Sequence, residues 1–344
     1  MKRFLIYISQ PYSIPIGKPL EMEIEKRGYI CKWFCDEKLT QDNFSDTSRL
    51  LQNVEDVMHY HPDIVLVATN VVPDFFPGIK VQVFHGFSVG KRSASKGHFN
   101  IRGFFDLYCT QGPSTTEPFM ILQDKYQYFE VIETGWSKVD PLFPLLMTKK
   151  EEDRLPTVMI SSTFTTRLSL AKNEEMINEI KRLSYLGKWH FIAVLHPKME
   201  KEVVEQFKAM EHEYFTFYDT TELIPLFQQA DVMLSDTTSA IAEFVLQKKP
   251  VVTIRNNQPE SYMVNIEVHG EMEDALEVAL SKPNALMQEI DFFIARTHPS
   301  NDGKSSARVI DASLKVLDRG SKRKPLNLIR RFKIRKKLNY WKVW

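Results

Sequence analysis

The sequence predicts an α/β protein of two doubly wound, Rossmann-like domains facing a cleft, with a basic amphipathic tail at the C-terminus. Three observations carry this. Short runs rich in β-branched and aromatic residues alternate with helical stretches, the pattern of parallel strands joined by crossover helices. A Pro-punctuated, charged stretch from Asp140 to Asp153 interrupts that alternation once, as an interdomain linker does. The length, 344 residues, accommodates two domains with a core each. The expected division is 1–145, 155–318 and a tail, 319–344.

Each element is read in chain order. Phe4 to Ile8 is a buried first strand; the run is too short for the apolar region of a signal peptide, and no small-residue cleavage site follows. Ser13 to Lys18 reads as a Pro/Gly turn and Pro19 to Arg27 as a helix closed by Gly28. Tyr29 to Phe34, the run around Ile64 to Thr69, Lys80 to Phe84 and Phe104 to Thr110 read as further strands, with a helix after Gly112. Beyond the linker, strands are expected at Thr157 to Ser162, His190 to Leu195, Tyr214 to Tyr218, Val232 to Ser235 and Val251 to Ile254. Helices are expected at Asn173 to Leu186, Lys201 to Met210, Leu223 to Ala230 and Thr238 to Gln247.

Composition narrows the class. Hydrophobic residues make up 43% and charged residues 26%, as in a folded globular protein. No apolar run approaches the ~18–20 residues of a membrane span. Three cysteines, Cys31, Cys35 and Cys109, form no disulfide framework, and the Cys31/Cys35 spacing has no partner pair for zinc. A net charge of +1 hides an asymmetry: 11 of the 45 Lys and Arg lie from Arg319 onward, where no acid occurs, leaving 34 basic against 44 acidic residues in the body. Within the tail, Ile334, Leu338 and Trp341 share a helical face among basic residues, and Ile329 and Phe332 extend it loosely. This pattern suits an interfacial helix on an anionic leaflet. Nucleic acid is a poor fit to an acidic body without a binding motif.

Three segments carry the chemistry. In Ala230 to Asn256, a strand runs into Asp236-Thr237-Thr238-Ser239 at a helix start, where free N–H groups, hydroxyls and the dipole favour phosphate oxygens. Glu243, one turn later, is placed for ribose hydroxyls. In His190 to Lys198, Pro197 stops a strand and sets His196 at the carboxyl edge of its sheet. In Val81 to Arg92, His85 ends a strand and precedes Gly86, which permits close backbone approach, with Lys91 and Arg92 available for a phosphate. A His at such an edge is a candidate general base. Taken alone, each segment is more often an ordinary αβ turn than a site.

Taken together, they resemble the CDP-glycerol glycerophosphotransferases of teichoic-acid-type polymer synthesis, within the GT-B fold. The His-Gly and Lys of that family are matched by His85-Gly86 and Lys91, its His-Pro by His196-Pro197, and its Asp-Tyr-Ser-Ser turn with a later acid by Asp236-Thr237-Thr238-Ser239 and Glu243. Thr134 to Asp140 is similar to the family's Gly-aromatic-Pro-Arg-x-Asp, and Asn301 to Arg308 to its closing Asp-Gly-Lys-Ala-x-x-Arg. The likeness covers roughly residues 80 to 310, in order. The departures are one extra residue between His85-Gly86 and Lys91, Thr237 and Thr238 for Tyr and Ser, and Lys138 for Arg.

The resemblance implies transfer of glycerol phosphate, or a related polyol phosphate, from a CDP-linked donor to a hydroxyl of a lipid-linked or polymer acceptor. CMP would be released, in teichoic-acid-like or capsule synthesis. His85 would be the base; His196, Thr238 and Ser239 would hold the diphosphate. No cofactor and no tightly bound metal are expected. The tail would place the enzyme peripherally on the cytoplasmic face of the membrane. Two alternatives are a nucleotide-sugar glycosyltransferase of the same fold and an inactive scaffold in a polymer-assembly complex.

Overall fold

The computed structural model describes residues 1–42, 44, 46–87, 97, 99–145 and 154–342. Two compact units result, one of Met1–Pro144 with Arg296–Trp344 and one of Leu145–Ala295.

The first unit is built on a parallel sheet of seven strands: β1 (Arg3–Ile8), β2 (Ile30–Cys35), β3 (Leu50–Leu51), β4 (Ile64–Val67), β5 (Ile79–Gln82), β6 (Leu107–Thr110) and β7 (Glu130–Glu133), ordered 3-2-1-4-5-6-7. The second has a parallel sheet of six: β8 (Thr157–Ser162), β9 (His190–Leu195), β10 (Phe215–Phe217), β11 (Val232–Ser235), β12 (Val251–Ile254) and β13 (Met263–Ile266), ordered 10-9-8-11-12-13. In both, strand order reverses beside the first strand, between β1 and β4 and between β8 and β11. In open α/β sheets this is where ligands bind, outside the carboxyl ends. The central strands β4, β8, β11 and β12 are buried throughout, as crossover helices on both faces require. The three cysteines are buried in β2 and β6, and burial pushes each thiol pKa up.

The expected turn at Ser13 to Lys18 is instead helix: Ile14–Lys26 is continuous. Pro15 sits in its first turn, where a missing N–H removes no bond, and Pro19 is accommodated further in. Gly17 lies in this helix because a Cβ there would overlap the Trp33 ring.

The expected second body, 155–318, is corrected at its end. From Arg296 the chain belongs to the first unit, and specific bonds hold it there. Asp140 accepts the N–H groups of Ser305 (2.8 Å) and Ser306 (2.7 Å), capping the helix Ser305–Arg319. Arg308 donates to the carbonyl of Thr134 (2.7 Å) and pairs with Asp302. Gly135 has φ +79, and a Cβ there would strike Ser305 Oγ and lie 2.9 Å from His298 Nε2. The two flanking motifs, Thr134 to Asp140 and Asn301 to Arg308, are thus halves of one joint.

The tail is also corrected. The helix Leu328–Leu338 is docked on the first unit: Ile334 and Tyr340 join its core, Leu338 packs against it, and Tyr340 stacks on Phe75 at 4.8 Å. The tail's cations meet carboxylates of the same unit, Lys324 on Asp106 (2.6 Å), Lys337 on Asp36 (2.8 Å), and Arg331 and Arg335 on Asp74 (3.6 and 3.9 Å). Part of the sequence's charge asymmetry is therefore neutralised inside the fold, and the Ile334/Leu338 face packs on protein.

Candidate functional site

In the first unit, the carboxyl edge around the β1/β4 reversal carries His85. Strand β5 ends at Gln82, and the chain turns through Phe84, which has φ +59, a conformation that a side chain bearing a Cβ rarely adopts. The next residue, His85, is half-buried, with Nδ1 3.2 Å from the carbonyl oxygen of Ala68, just beyond β4. A carbonyl offers only lone pairs, so Nδ1 donates and the imidazole lone pair resides on Nε2. The ring of Tyr12, from the turn after β1, lies 5.7 Å from the His85 ring.

Several contacts hold this turn. Gln111 Nε2 donates to the carbonyl of Gly86 (2.9 Å) and Trp136 Nε1 to that of Phe84 (3.3 Å). The Phe87 ring packs on Trp136 at 4.8 Å and on His298 at 5.9 Å. His298, fully buried, accepts the N–H of Trp136 on Nε2 at 3.0 Å. Its pKa is depressed to about 4, by burial first. Beside Gly86 the space a Cβ would take is open among the described residues. Lys91 and Arg92 lie outside the described residues.

In the second unit, His196 follows β9 directly and is exposed. Its Nδ1 accepts the backbone N–H of Lys198 at 3.0 Å, so the neutral ring carries its proton on Nε2. Partial desolvation, then the charge of Lys198, lowers its pKa and favours that neutral form. The two histidines therefore present opposite Nε2 atoms, an acceptor at His85 and a donor at His196. The Phe164 ring lies 4.5 Å from His196, and Lys198 Nζ sits 5.7 Å from the Phe164 ring.

Asp236 stands at the β8/β11 reversal, and its expected contact with substrate is corrected. It is fully buried, and its carboxylate accepts from Ser162 Oγ (2.6 Å) and from the N–H groups of Thr163 (3.0 Å) and Leu170 (3.0 Å), as well as from Thr237. Burial raises its pKa while these four donors oppose the rise. Asn256 Nδ2, beyond β12, donates to the Asp236 carbonyl at 2.6 Å. Asp236 thus ties together the loops after three adjacent strands.

The turn it anchors leaves Thr237 and Thr238 half-buried and Ser239 exposed. Ser239 makes no side-chain cap to the short helix Ala240–Val245, against expectation; Thr238 Oγ1 accepts the Ala240 N–H at 3.4 Å, a weak bond. Glu243 is buried in the first turn of that helix, so reaching a ribose from there needs a shift in its surroundings. Among the described residues, no group of three His, Cys, Asp or Glu is placed to hold a metal ion. Sequence reading missed Tyr12, Gln111, Ser162 and Asn256. Phe164, in the loop after β8, was missed as well.

No family model matches the chain, and no curated protein matches it in sequence. Solved structures do. The wall teichoic acid polymerase TagF aligns with a TM-score of 0.66 at 12% identity, over 92% of this chain and 89% of that one. MnaA of S. aureus, solved with UDP, aligns with a TM-score of 0.63 at 14% identity, over 92% and 97%. The UDP-GlcNAc 2-epimerase of Neisseria meningitidis, bound to UDP-GlcNAc, gives 0.61 at 14% identity, over 92% and 100%. At these identities the likeness establishes the fold: a two-domain α/β protein of the GT-B type.

Proposed function

We propose that the chain is a transferase that moves glycerol phosphate, or a related polyol phosphate, from a CDP-linked donor to an acceptor hydroxyl. The observation that carries this reading is the pair of opposite histidine tautomers at two sheet edges. His85, with its lone pair on Nε2, is suited to take a proton. His196, with its proton on Nε2 and its pKa held down, is suited to donate to a phosphate oxygen without changing charge. Thr237, Thr238 and Ser239 add hydroxyls at the second edge. The motif likeness and TagF, which has been solved after a soak with CDPG, support a CDP-polyol donor.

The acceptor oxygen attacks the phosphorus bearing glycerol, and its proton passes to His85 Nε2. The phosphorus–oxygen bond to CMP breaks, and CMP leaves with charge on its phosphate, met by His196 and the turn hydroxyls. Positioning and electrostatics supply the catalysis, with general-base help of about 10²–10⁴-fold. The acceptor in this reading is a lipid-linked or polymer hydroxyl of the cell envelope.

A second reading is a UDP-sugar enzyme of the same fold. The alignments with MnaA and the meningococcal epimerase, close in TM-score to that with TagF, favour it. One donor screen decides. Release of CMP from CDP-glycerol or CDP-ribitol supports the first reading, and UDP release or epimerised sugar supports the second. No turnover of any donor, with acceptor lipids present, would point to a scaffold.

A further inference from the structure

The docked C-terminal helix has a second side. Opposite Ile334 and Leu338, the Leu328, Ile329 and Phe332 side chains stand 68%, 74% and 57% exposed, joined by Leu326 and by Trp341, whose ring lies 5.4 Å from Phe332. On a helical wheel Leu328, Phe332 and Ile329 span about 100°, and Lys333 and Lys336 fall within or beside that arc. Arg330, Lys333 and Lys336 are exposed, and no ion pair engages them among the described residues. The inner cations are different: Lys324, Arg331, Arg335 and Lys337 are held by Asp106, Asp74 and Asp36. One set of basic residues fixes the helix to the first unit, and another is left outward among aliphatic and aromatic side chains.

We infer that this outer face is a docking surface for an anionic lipid bilayer. Charge complementarity selects the occupant. No acid occurs from Arg319 to the end of the chain, so the tail itself sets only basic residues among these apolar side chains. Lipid acyl chains reward the exposed Leu and Ile, which nucleic acid does not, and anionic headgroups reward the lysines. Phe332 and Trp341 suit the headgroup boundary. Because the inner side is packed and paired, the helix is already ordered before binding and the ordering entropy is not owed at the membrane. The inference stands independently of the donor. It also moves the contact from the Ile334/Leu338 face to its opposite, and deleting 319–344 is a poor test because it strips Ile334 and Tyr340 from the core.

The test is flotation of the full chain with phosphatidylcholine vesicles, with and without phosphatidylglycerol. Two surface variants are compared, Leu328→Ser/Ile329→Ser/Phe332→Ser and Lys333→Glu/Lys336→Glu, after melting curves confirm that both fold as the parent does. The parent is expected to float with the phosphatidylglycerol vesicles and to be weakened by salt. Each variant is expected to lose partitioning by about tenfold or more. Parent-like flotation by both variants overturns the inference, as does failure of the parent to bind anionic vesicles. It is equally overturned if the apolar variant only converts an oligomer to monomers, which assigns the face to a second copy. Capture of RNA in place of vesicles, abolished by the lysine variant alone, overturns it too.

Discussion

The Nδ1 atom of His85 lies 3.2 Å from the carbonyl oxygen of Ala68, two residues on adjacent strand ends of the first sheet. That contact fixes the tautomer and leaves Nε2 as the basic atom. His85→Ala is expected to lower CMP release by about 10²–10⁴-fold with an unchanged melting temperature. His85→Gln, which retains a side chain of similar reach but has no titratable nitrogen, is expected to be equally poor. Near-parent turnover in either variant removes His85 from the base role.

His298 gives an acid-side prediction. Its Nε2 accepts the Trp136 N–H and its Nδ1 finds no partner among the described residues, so protonation would set two donors against each other in a buried place. Burial first, and then Arg308, depress its pKa to about 4 from the usual 6.5, opposed only in part. The folded state therefore binds the proton less readily than the unfolded chain does. Stability contributed by the neutral ring is complete above the unfolded pKa, and falls as pH drops from about 6.5 to about 4, by up to about 3 kcal/mol. His298→Gln keeps an acceptor for Trp136 and does not titrate. Its stability-versus-pH curve, from urea unfolding, should be flatter than the parent's by that amount across that window. Parallel curves would refute the assignment.

At the second sheet edge, Asp236→Asn replaces one acceptor oxygen by an NH₂ facing N–H and O–H donors. A loss of about 2–4 kcal/mol is expected, from a buried, charge-assisted network left unmatched. Ser162→Ala removes one donor and should cost about 1 kcal/mol, and the two changes should be less than additive because they share a bond. CMP release should fall in Asp236→Asn at temperatures where it is fully folded, since Thr163 and Thr237 lose their anchor. Full activity in the folded variant would show that the turn is positioned by other contacts.

Much of this architecture was legible because parallel strands buried on both faces read as apolar runs. Those missed, β3, β7 and β13, are all edge strands, only two to four residues long and partly exposed, so neither length nor hydrophobicity marks them. The strand-end positions of His85 and His196 were legible from Gly86 and Pro197. Their tautomers were not, because a carbonyl on another strand and an N–H in the following turn set them. The burial of Asp236 was hidden in the same way, because Ser162, Thr163 and Leu170, which enclose its carboxylate, lie more than sixty residues away. In the tail a helix was legible but its facing was not: the helix ends at Leu338, Trp341 lies beyond it against Phe332, and both sides mix apolar and basic residues. Only the carboxylates of Asp36, Asp74 and Asp106 decide which side turns inward.

The joint between Asp140 and the Ser305–Arg319 helix yields the final prediction. Asp140 satisfies two of the N–H groups that a helix start leaves open, and it does so from a position 165 residues earlier, so this cap is also a long-range closure. Asp140→Ala leaves two buried donors unmatched and should cost about 2–4 kcal/mol, more than an exposed cap would. Gly135→Ala acts on the same joint by a different route. It combines a φ of +79 with a Cβ that meets Ser305 Oγ, and a loss of about 2 kcal/mol or more is expected. Hydrogen exchange separates a local effect from a global one. In both variants, protection should fall first in Ser305–Arg319 and in the Trp136 region, whereas β8 to β13 of the other unit should keep theirs. If exchange instead rises uniformly in both units, the joint is not the element that holds the returning chain.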